Sequence, residues 1–308
     1  MRAKGKKTGF TIVELLTVMS IIIILISLLL PSLAAVRRYA KDVRQHGQFH
    51  DIENCLEMFS IDYDGYPDSS WSDIDGDSYC GAMKLCEAIL GQDGFGFHPD
   101  SYFDNMGRSK AGADLYYNRQ ATQPDPINNP QDAENLRKRR IPCMEKTAPL
   151  CSIGTLFENF PDGFTPFDSN CPLLCDVYTR SQLLNARGDK VGMPILYFKA
   201  DPSKLTHDAE EGFKWPPDIG TNIYNYYDNH ELLALRMPWA EGQYHPMYAA
   251  TSSTPQVFYD MTLSEEASIG KGKKAYQKPH NPHTYILISA GLDGIYGTGD
   301  DVFNFYKK

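Results

Sequence analysis

From Phe10 to Val36 the chain is apolar on every helical face, and Glu14 is the only charged side chain in the run. A surface helix of a soluble domain keeps one polar face. About 20 apolar residues suffice to cross a bilayer, so this stretch predicts a membrane-inserted helix. The pattern then changes without stopping. Leu33, Val36, Ala40 and Val43 continue at spacings of three and four, and Phe49, Ile52, Leu56 and Phe59 resume them after a break near Gly47. One apolar stripe at helical period predicts a helix lying on a globular body. Arg37, Arg38, Lys41 and Arg44 fall mostly off that stripe and read as a solvated face near lipid headgroups. Together the two halves predict a single helix from Phe10 to about Asp62, roughly 80 Å long at 1.5 Å per residue. Pro31 removes one backbone donor and should bend the helix or locally melt it. Tyr63-Asp64-Gly65-Tyr66-Pro67 supplies the turn chemistry that ends it.

Periodicity is scarcer beyond residue 67. Met83 to Leu90 reads as a short helix closed by Gly91, and residues 118–130 as a polar, proline-rich loop. Residues 193–199 predict a strand and 229–235 a helix. Thr284 to Ser289 is a buried-strand run, and Val302 to Tyr306 alternates as a closing strand. The remainder of 68–190 and 201–283 is loop-rich, and no internal repeat is present. The expected fold class is α+β: a long N-terminal hydrophobic helical spine packed on a small antiparallel sheet, with large loop-rich insertions.

Composition narrows the function. The 308-residue chain is 42% hydrophobic, which excludes wholesale disorder. Its net charge of −9 argues against nucleic acid as a partner. The charge is uneven, because Arg2, Lys4, Lys6 and Lys7 precede the apolar run with no acid among them. A basic tip before an apolar run is a targeting segment. It fits a cleaved secretory signal, with Ser32-Leu33-Ala34-Ala35 as the cleavage site, or a permanent signal anchor. Neither accounts for Glu14. A carboxylate inside an apolar span costs about 2.5–3.5 kcal/mol even on the lenient insertion scale, and it marks a function.

Lys7-Thr8-Gly9-Phe10-Thr11-Ile12-Val13-Glu14-Leu15-Leu16 resembles the class III signal of type IV pilins and type II secretion pseudopilins. The resemblance implies that a prepilin peptidase cuts between Gly9 and Phe10 and that the new N-terminus is N-methylated. Pro31 falls where many members carry a helix-kinking proline, and the Tyr66-Pro67 step after the long helix also recurs in the family. Cleavage would leave a cationic amine on Phe10, one helical turn from Glu14. A neighbouring copy displaced along a filament would offer its amine to that carboxylate. Burying the pair costs much less than burying either charge alone, and the pairing fixes register. Glu14 and Pro31 are therefore the expected assembly residues. The implied organisation is a leader at 1–9, a transmembrane and filament-core half-helix at 10–36, an amphipathic half at 37–66, and a head at 67–308. The head holds an insertion at about 68–283 and a C-terminal hairpin at 284–306. The resemblance covers about 5–67 and 284–306. The insertion is much longer than in a typical pseudopilin.

Between the last two strands, Ala290 to Asp301 holds four glycines and three aspartates. Carboxylates and inward-turned carbonyls are the hard oxygen ligands that suit Ca²⁺, and the same residues also fit a long Asp-decorated hairpin turn. Ser289 to Val302 is similar to the calcium loop near the C-terminus of major pseudopilins. That similarity implies Asp293 and Asp300 as side-chain ligands, Ala290 and Thr298 as carbonyl donors, and Asp301 as a further candidate. Asp73-Ile74-Asp75-Gly76-Asp77 reads as a turn, because its Gly comes too early for an EF-hand and the twelfth position is Lys84.

Seven cysteines lie beyond the apolar run, where the pilin reading places them outside the cytoplasm and disulfides are favoured. The local pairings are Cys80/Cys86, Cys143/Cys151 and Cys171/Cys175, with Cys55 left as a buried thiol on the helix stripe. Spacing does not determine connectivity. A zinc site of Cys143, Cys151, Cys171 and Cys175 lacks the expected CxxC pairs. Arg137-Lys138-Arg139-Arg140 reads as a solvated helix end or a docking patch. The eight histidines are scattered, and no nucleophile elbow, P-loop or zincin spacing occurs. The expectation is a non-enzyme: a structural subunit that polymerises through its N-terminal helix into a type II secretion pseudopilus or a type IV pilus-like filament. The expected partners are copies of itself and other (pseudo)pilins, prepilin peptidase, an inner-membrane assembly platform, and membrane lipid before extraction. The expected location is the bacterial inner membrane, single-pass with a cytoplasmic N-terminus, then a periplasmic or cell-surface filament. The alternatives are a membrane-anchored extracytoplasmic binding protein, a minor or tip pilin whose enlarged head recognises a ligand or secreted substrate, and a signal-bearing secreted hydrolase.

Overall fold

The computed structural model describes residues 11–117, 125–144, 150–157, 167, 170–185, 187–210, 221–240, 242–250, 253–269 and 276–305, with backbone alone at 265–269, 276 and 277. In chain order the helices are α1 (Ile12–Tyr63), α2 (Gly81–Leu90), α3 (Pro130–Lys138), α4 (Ile153–Leu156), α5 (His230–Ala234) and α6 (Gln256–Thr262). The strands are β1 (Leu150–Ser152), β2 (Pro172–Leu174), β3 (Leu196–Lys199), β4 (Leu263–Ile269), β5 (Tyr276–Pro279), β6 (Tyr285–Ser289) and β7 (Val302–Phe303). The chain divides into two units, residues 1–44 and 45–308.

In the first unit α1 is long and apolar enough to cross a membrane, and its large side chains from Ile12 to Val36 are exposed. The helix runs unbroken through Gly47, as expected, and through Pro31, where a bend or local melting was expected. Nothing lies within 4 Å of the Cβ position of Gly47, so that glycine has no packing role and simply tolerates the helix. In the second unit α1 buries Gln45, Gln48, Phe49, Ile52, Cys55, Leu56 and Phe59. The packed stripe therefore begins at Gln45, and Leu33, Val36 and Val43 remain exposed. The two glutamines form its polar edge. Gln48 donates to the Cys175 carbonyl at 2.9 Å, and the Val177 amide donates to Gln45 at 3.0 Å.

The main sheet has three antiparallel strands in the order β3-β6-β7. Alternation decides what each face meets. Ile195, Tyr197, Tyr285 and Leu287 pack with Phe49, Ile52 and Leu56 of α1 and with Leu85 and Ile89 of α2. Leu196, Phe198, Ile286 and Ile288 face the larger cluster, which includes Tyr79, Met83, Tyr224 and Phe258. Both faces are buried, so the strands read as apolar runs without polar alternation. Helix α2 lies entirely inside, and Gly91, at φ 74°, ends it by donating its amide N–H to the Glu87 carbonyl at 2.7 Å. Its two charged residues are satisfied as burial demands. Lys84 donates to Asp68, Ser70 and the Ser72 carbonyl, while Glu87 accepts from Tyr79, Gln92, Ser101 and Tyr116.

Several sequence expectations are corrected. The closing strand is only Val302–Phe303. Helix α6 and the β4–β5 hairpin fall in a region read as loop, where Ser264-Glu265-Glu266 carries no alternation. Residues 118–124 of the predicted loop lie outside the described residues, and α3 begins at its end, capped by Asn129. The basic cluster closing α3 is not a uniformly solvated end. Arg139 is buried against both Asp93 oxygens at 2.7 and 2.6 Å and beside the Tyr116 and Tyr117 rings, and Arg140 pairs with Asp62 at 3.1 Å.

The disulfides join distant cysteines, Cys55–Cys143 and Cys151–Cys175. The local pairs are not formed. Cys80 caps the start of α2 and Cys86 lies within it six positions on, which sets them roughly 9 Å apart along its axis, beyond disulfide reach. Both are buried thiols, and burial pushes Cys80 up to about 12. Cys171 is also buried, with its sulfur 3.3 Å from Asn105 Oδ1. Cys55 is bridged and not a thiol.

After β2, Asp176 is fully buried, accepting from Ser289 at 2.8 Å and from the Tyr178 amide at 3.0 Å. Burial pushes its carboxyl up to about 7, against these hydrogen bonds. A raised acid holds its proton in the folded state longer than in the unfolded state. The stability that Asp176 contributes is therefore fully present below about pH 4 and is lost as pH rises through about 7. The expected decline is at most about 4 kcal/mol, and denaturation of Asp176→Asn across that range should show a flattened profile. Peptide mapping without reductant should recover the 55–143 and 151–175 bridges, and Cys143→Ser should lower the unfolding free energy by about 2–4 kcal/mol.

Candidate functional site

Two places gather the residues singled out by sequence. The first is the start of α1. Gly9 and Phe10 lie outside the described residues. Thr11 and Glu14 form a reciprocal capping box. The Thr11 amide and hydroxyl donate to Glu14 Oε2 at 2.9 and 2.8 Å, and the Glu14 amide donates to Thr11 Oγ1 at 3.2 Å. This Thr-x-x-Glu spacing is legible in the sequence as a helix start, a role the reading of Glu14 as a lone intramembrane acid missed. Both bonds fall on Oε2. Oε1 has no hydrogen-bond partner among the described residues, and Glu14 lies on an exposed stretch of helix.

The second place is the turn between β6 and β7. Asp293 Oδ1 accepts the Ile295 amide at 2.7 Å, and Asp300 Oδ2 accepts the Asp293 amide at 2.9 Å. The Thr298 hydroxyl lies 3.0 Å from Asp293 Oδ2 and 2.6 Å from Asp300 Oδ1, so the two aspartates converge on one oxygen. Gly291, at φ 61°, permits the closure, because a Cβ there would meet the Asp300 carbonyl at 2.1 Å. Asp301 Oδ2 accepts the Gly297 amide at 2.7 Å, while its Oδ1 is buried with no hydrogen-bond partner. Burial raises the Asp293 carboxyl, and the hydrogen bond to Asp300 raises it further. Burial also pushes Asp300 up, but donors from Thr298 and the Asp293 amide outweigh it and hold that carboxyl below its ordinary range. Burial carries Asp301 up to about 8. Ala290 is fully buried, and Thr298 directs its carbonyl to the Asp301 amide at 3.4 Å.

Side chains alone do not complete a metal shell. Among the described residues no three of His, Cys, Asp or Glu converge in the manner of a metal site. Backbone oxygens would have to join Asp293 and Asp300. The Asp293 and Asp300 carboxylates, which converge on Thr298 Oγ1, fit a hard cation held in that way.

Sequence reasoning missed the surroundings of this turn. The insertion holds it from two sides. The Tyr296 amide donates to His245 Nδ1 at 3.2 Å, and the Met247 amide donates to the Tyr296 carbonyl at 3.1 Å. Opposite, Arg180 stacks on Trp239 and donates to the Leu292 carbonyl. Burial draws the Arg180 pKa down, opposed by Asp293, Asp176 and Asp300. The buried histidines His207, His230 and His245 each contact a backbone group of the core. His207 faces the Tyr259 carbonyl and the Thr262 hydroxyl, and burial pulls it down to about 3. Asp73 is a turn residue whose Oδ1 accepts the Asp75 and Asp77 amides. Elsewhere a polar cleft of about 330 Å³ is lined by Asp68, Ser70, Lys199, Asp201, Asn222 and Asp228, among others.

Two curated proteins are similar to part of the chain. It is 36% identical over 67 residues to the type II secretion system core protein G of Escherichia coli (strain K12), a stretch covering 22% of this chain and 46% of that protein. It is 41% identical over 58 residues to the type IV wide pilus major component PilA4 of Thermus thermophilus, covering 19% of this chain and 44% of that protein. The matched stretches thus span less than half the length of either relative. No family model matches the chain, and no solved structure matches it significantly.

Proposed function

We propose that this pilin-like chain is a structural subunit that polymerises through α1 into a type II secretion pseudopilus or a type IV pilus-like filament. The carrying observation is the first half of α1, where a continuous apolar surface is exposed on all sides and its one carboxylate keeps an oxygen unbonded. The two similar proteins are named as components of such systems. In this reading prepilin peptidase removes residues 1–9 and the Phe10 amine is methylated. The segment waits in the inner membrane with its N-terminus cytoplasmic until the assembly platform extracts it. In the filament, the apolar surface is covered by other subunits and Glu14 Oε1 receives a neighbouring Phe10 amine. The chain does no chemistry of its own. The polar cleft in the enlarged head favours, as a second reading, a minor or tip subunit that recognises a ligand.

Calcium is the proposed cofactor of the acidic turn. Asp293 and Asp300 would hold it through their carboxylates, with Asp301 and the carbonyls of Ala290 and Thr298 as the remaining candidates. A bound Ca²⁺ would supply two positive charges where the carboxylates otherwise repel one another.

The mature polypeptide should begin at methylated Phe10 by mass spectrometry, and Glu14→Ala should reduce incorporation into sheared filaments at least tenfold. A mature start after Ala34 or Ala35 would overturn the assignment. Calcium at a hundredfold excess over its dissociation constant should stabilise the protein by about 2.7 kcal/mol, and Asp293→Asn or Asp300→Asn should remove that gain in a thermal melt.

A further inference from the structure

Arg180 lies outside the turn, in the segment between β2 and β3, yet it is built into it. Its guanidinium sits 4.0 Å from the centroid of the Trp239 ring. Its Nη2 donates to the Leu292 carbonyl at 3.1 Å, and its Nε is buried with no hydrogen-bond partner. Gly294 makes the room: a Cβ there would fall 2.5 Å from Nε and 2.8 Å from the Trp239 ring. The carboxylates acting on it through space are Asp293, Asp176 and Asp300. A stacked, planar guanidinium is a fixed charge and cannot swing away without losing the ring contact.

We propose that Arg180 is a tethered counter-cation of the acidic turn, which holds the turn closed without metal and lowers its affinity for calcium. The inference rests on the calcium reading above. Two like charges compete for one pair of carboxylates. The stabilisation Arg180 gives the metal-free turn is therefore withdrawn from the metal-bound one, and by linkage the two effects are reciprocal. The residue belongs to the insertion, so the insertion tunes a site whose carboxylates all lie in the C-terminal hairpin. Trp239 acts through Arg180 as a positioning residue.

The test uses the full chain in detergent. Calcium is titrated calorimetrically into wild type, Arg180→Lys and Arg180→Gln, and a second series of melts in chelator follows Arg180→Gln, Asp300→Asn and the double variant. R180Q should bind calcium about tenfold more tightly, while R180K stays within about threefold of wild type. In chelator R180Q should melt lower than wild type, and the same change should cost clearly less in the D300N background. Trp239→Leu is the companion variant should R180Q fail to fold: it frees the guanidinium and should tighten calcium binding by a smaller factor. Equal affinities for wild type and R180Q, R180K behaving as R180Q does, or additive melts would each overturn the role of Arg180. Absence of calcium heat in wild type and every variant would instead remove the calcium reading, and with it the affinity half of the proposal, whatever the melts show.

Discussion

Every residue of β6 is buried, so both faces of the three-stranded sheet have to be covered by apolar side chains from elsewhere in the chain. Strand alternation divides the work. The Tyr285 and Leu287 side meets α1 and the Leu85 and Ile89 face of α2, and the Ile286 and Ile288 side meets Met83 of α2 and later parts of the insertion. This requirement explains why α2 is wholly internal and why its Lys84 and Glu87 each carry several bonding partners. It also fixes the acidic turn, because β6 and β7 deliver the two ends of residues 290–301 from a frame with little freedom to shift.

The sequence was most legible where one period dominates. The all-round apolar run, the stripe at Phe49, Ile52, Leu56 and Phe59, the Gly91 helix stop and the β3 and β6 runs all read directly as structure. It was least legible where local pattern is overruled by distant partners. Arg139 looks like a solvated charge until Asp93 and two tyrosines surround it. Cys55 looks like a buried thiol until α1 brings it to Cys143. Within the turn, Asp293 and Asp300 were singled out by the resemblance alone. Arg180, more than a hundred positions earlier, could not be named, since no sequence period relates it to Leu292.

The insertion is thus more than an added lobe. It covers one face of the sheet and, through α2, part of the other, and through His245, Met247 and Arg180 it grips the turn at the chain's other end. Segments far apart in sequence share one core, so changes in the decorated region are felt at the hairpin.

The Cys55–Cys143 bridge closes a loop around α2 and α3. A protease that nicks the chain anywhere between residues 56 and 142 therefore leaves two pieces still covalently joined. The piece that carries α1 stays joined to the rest of the head as long as that bond is oxidised, and the damage becomes visible only under reduction. In the filament proposed above, where no ribosome could replace a buried member, such tolerance of backbone cleavage would preserve the continuity of the whole polymer.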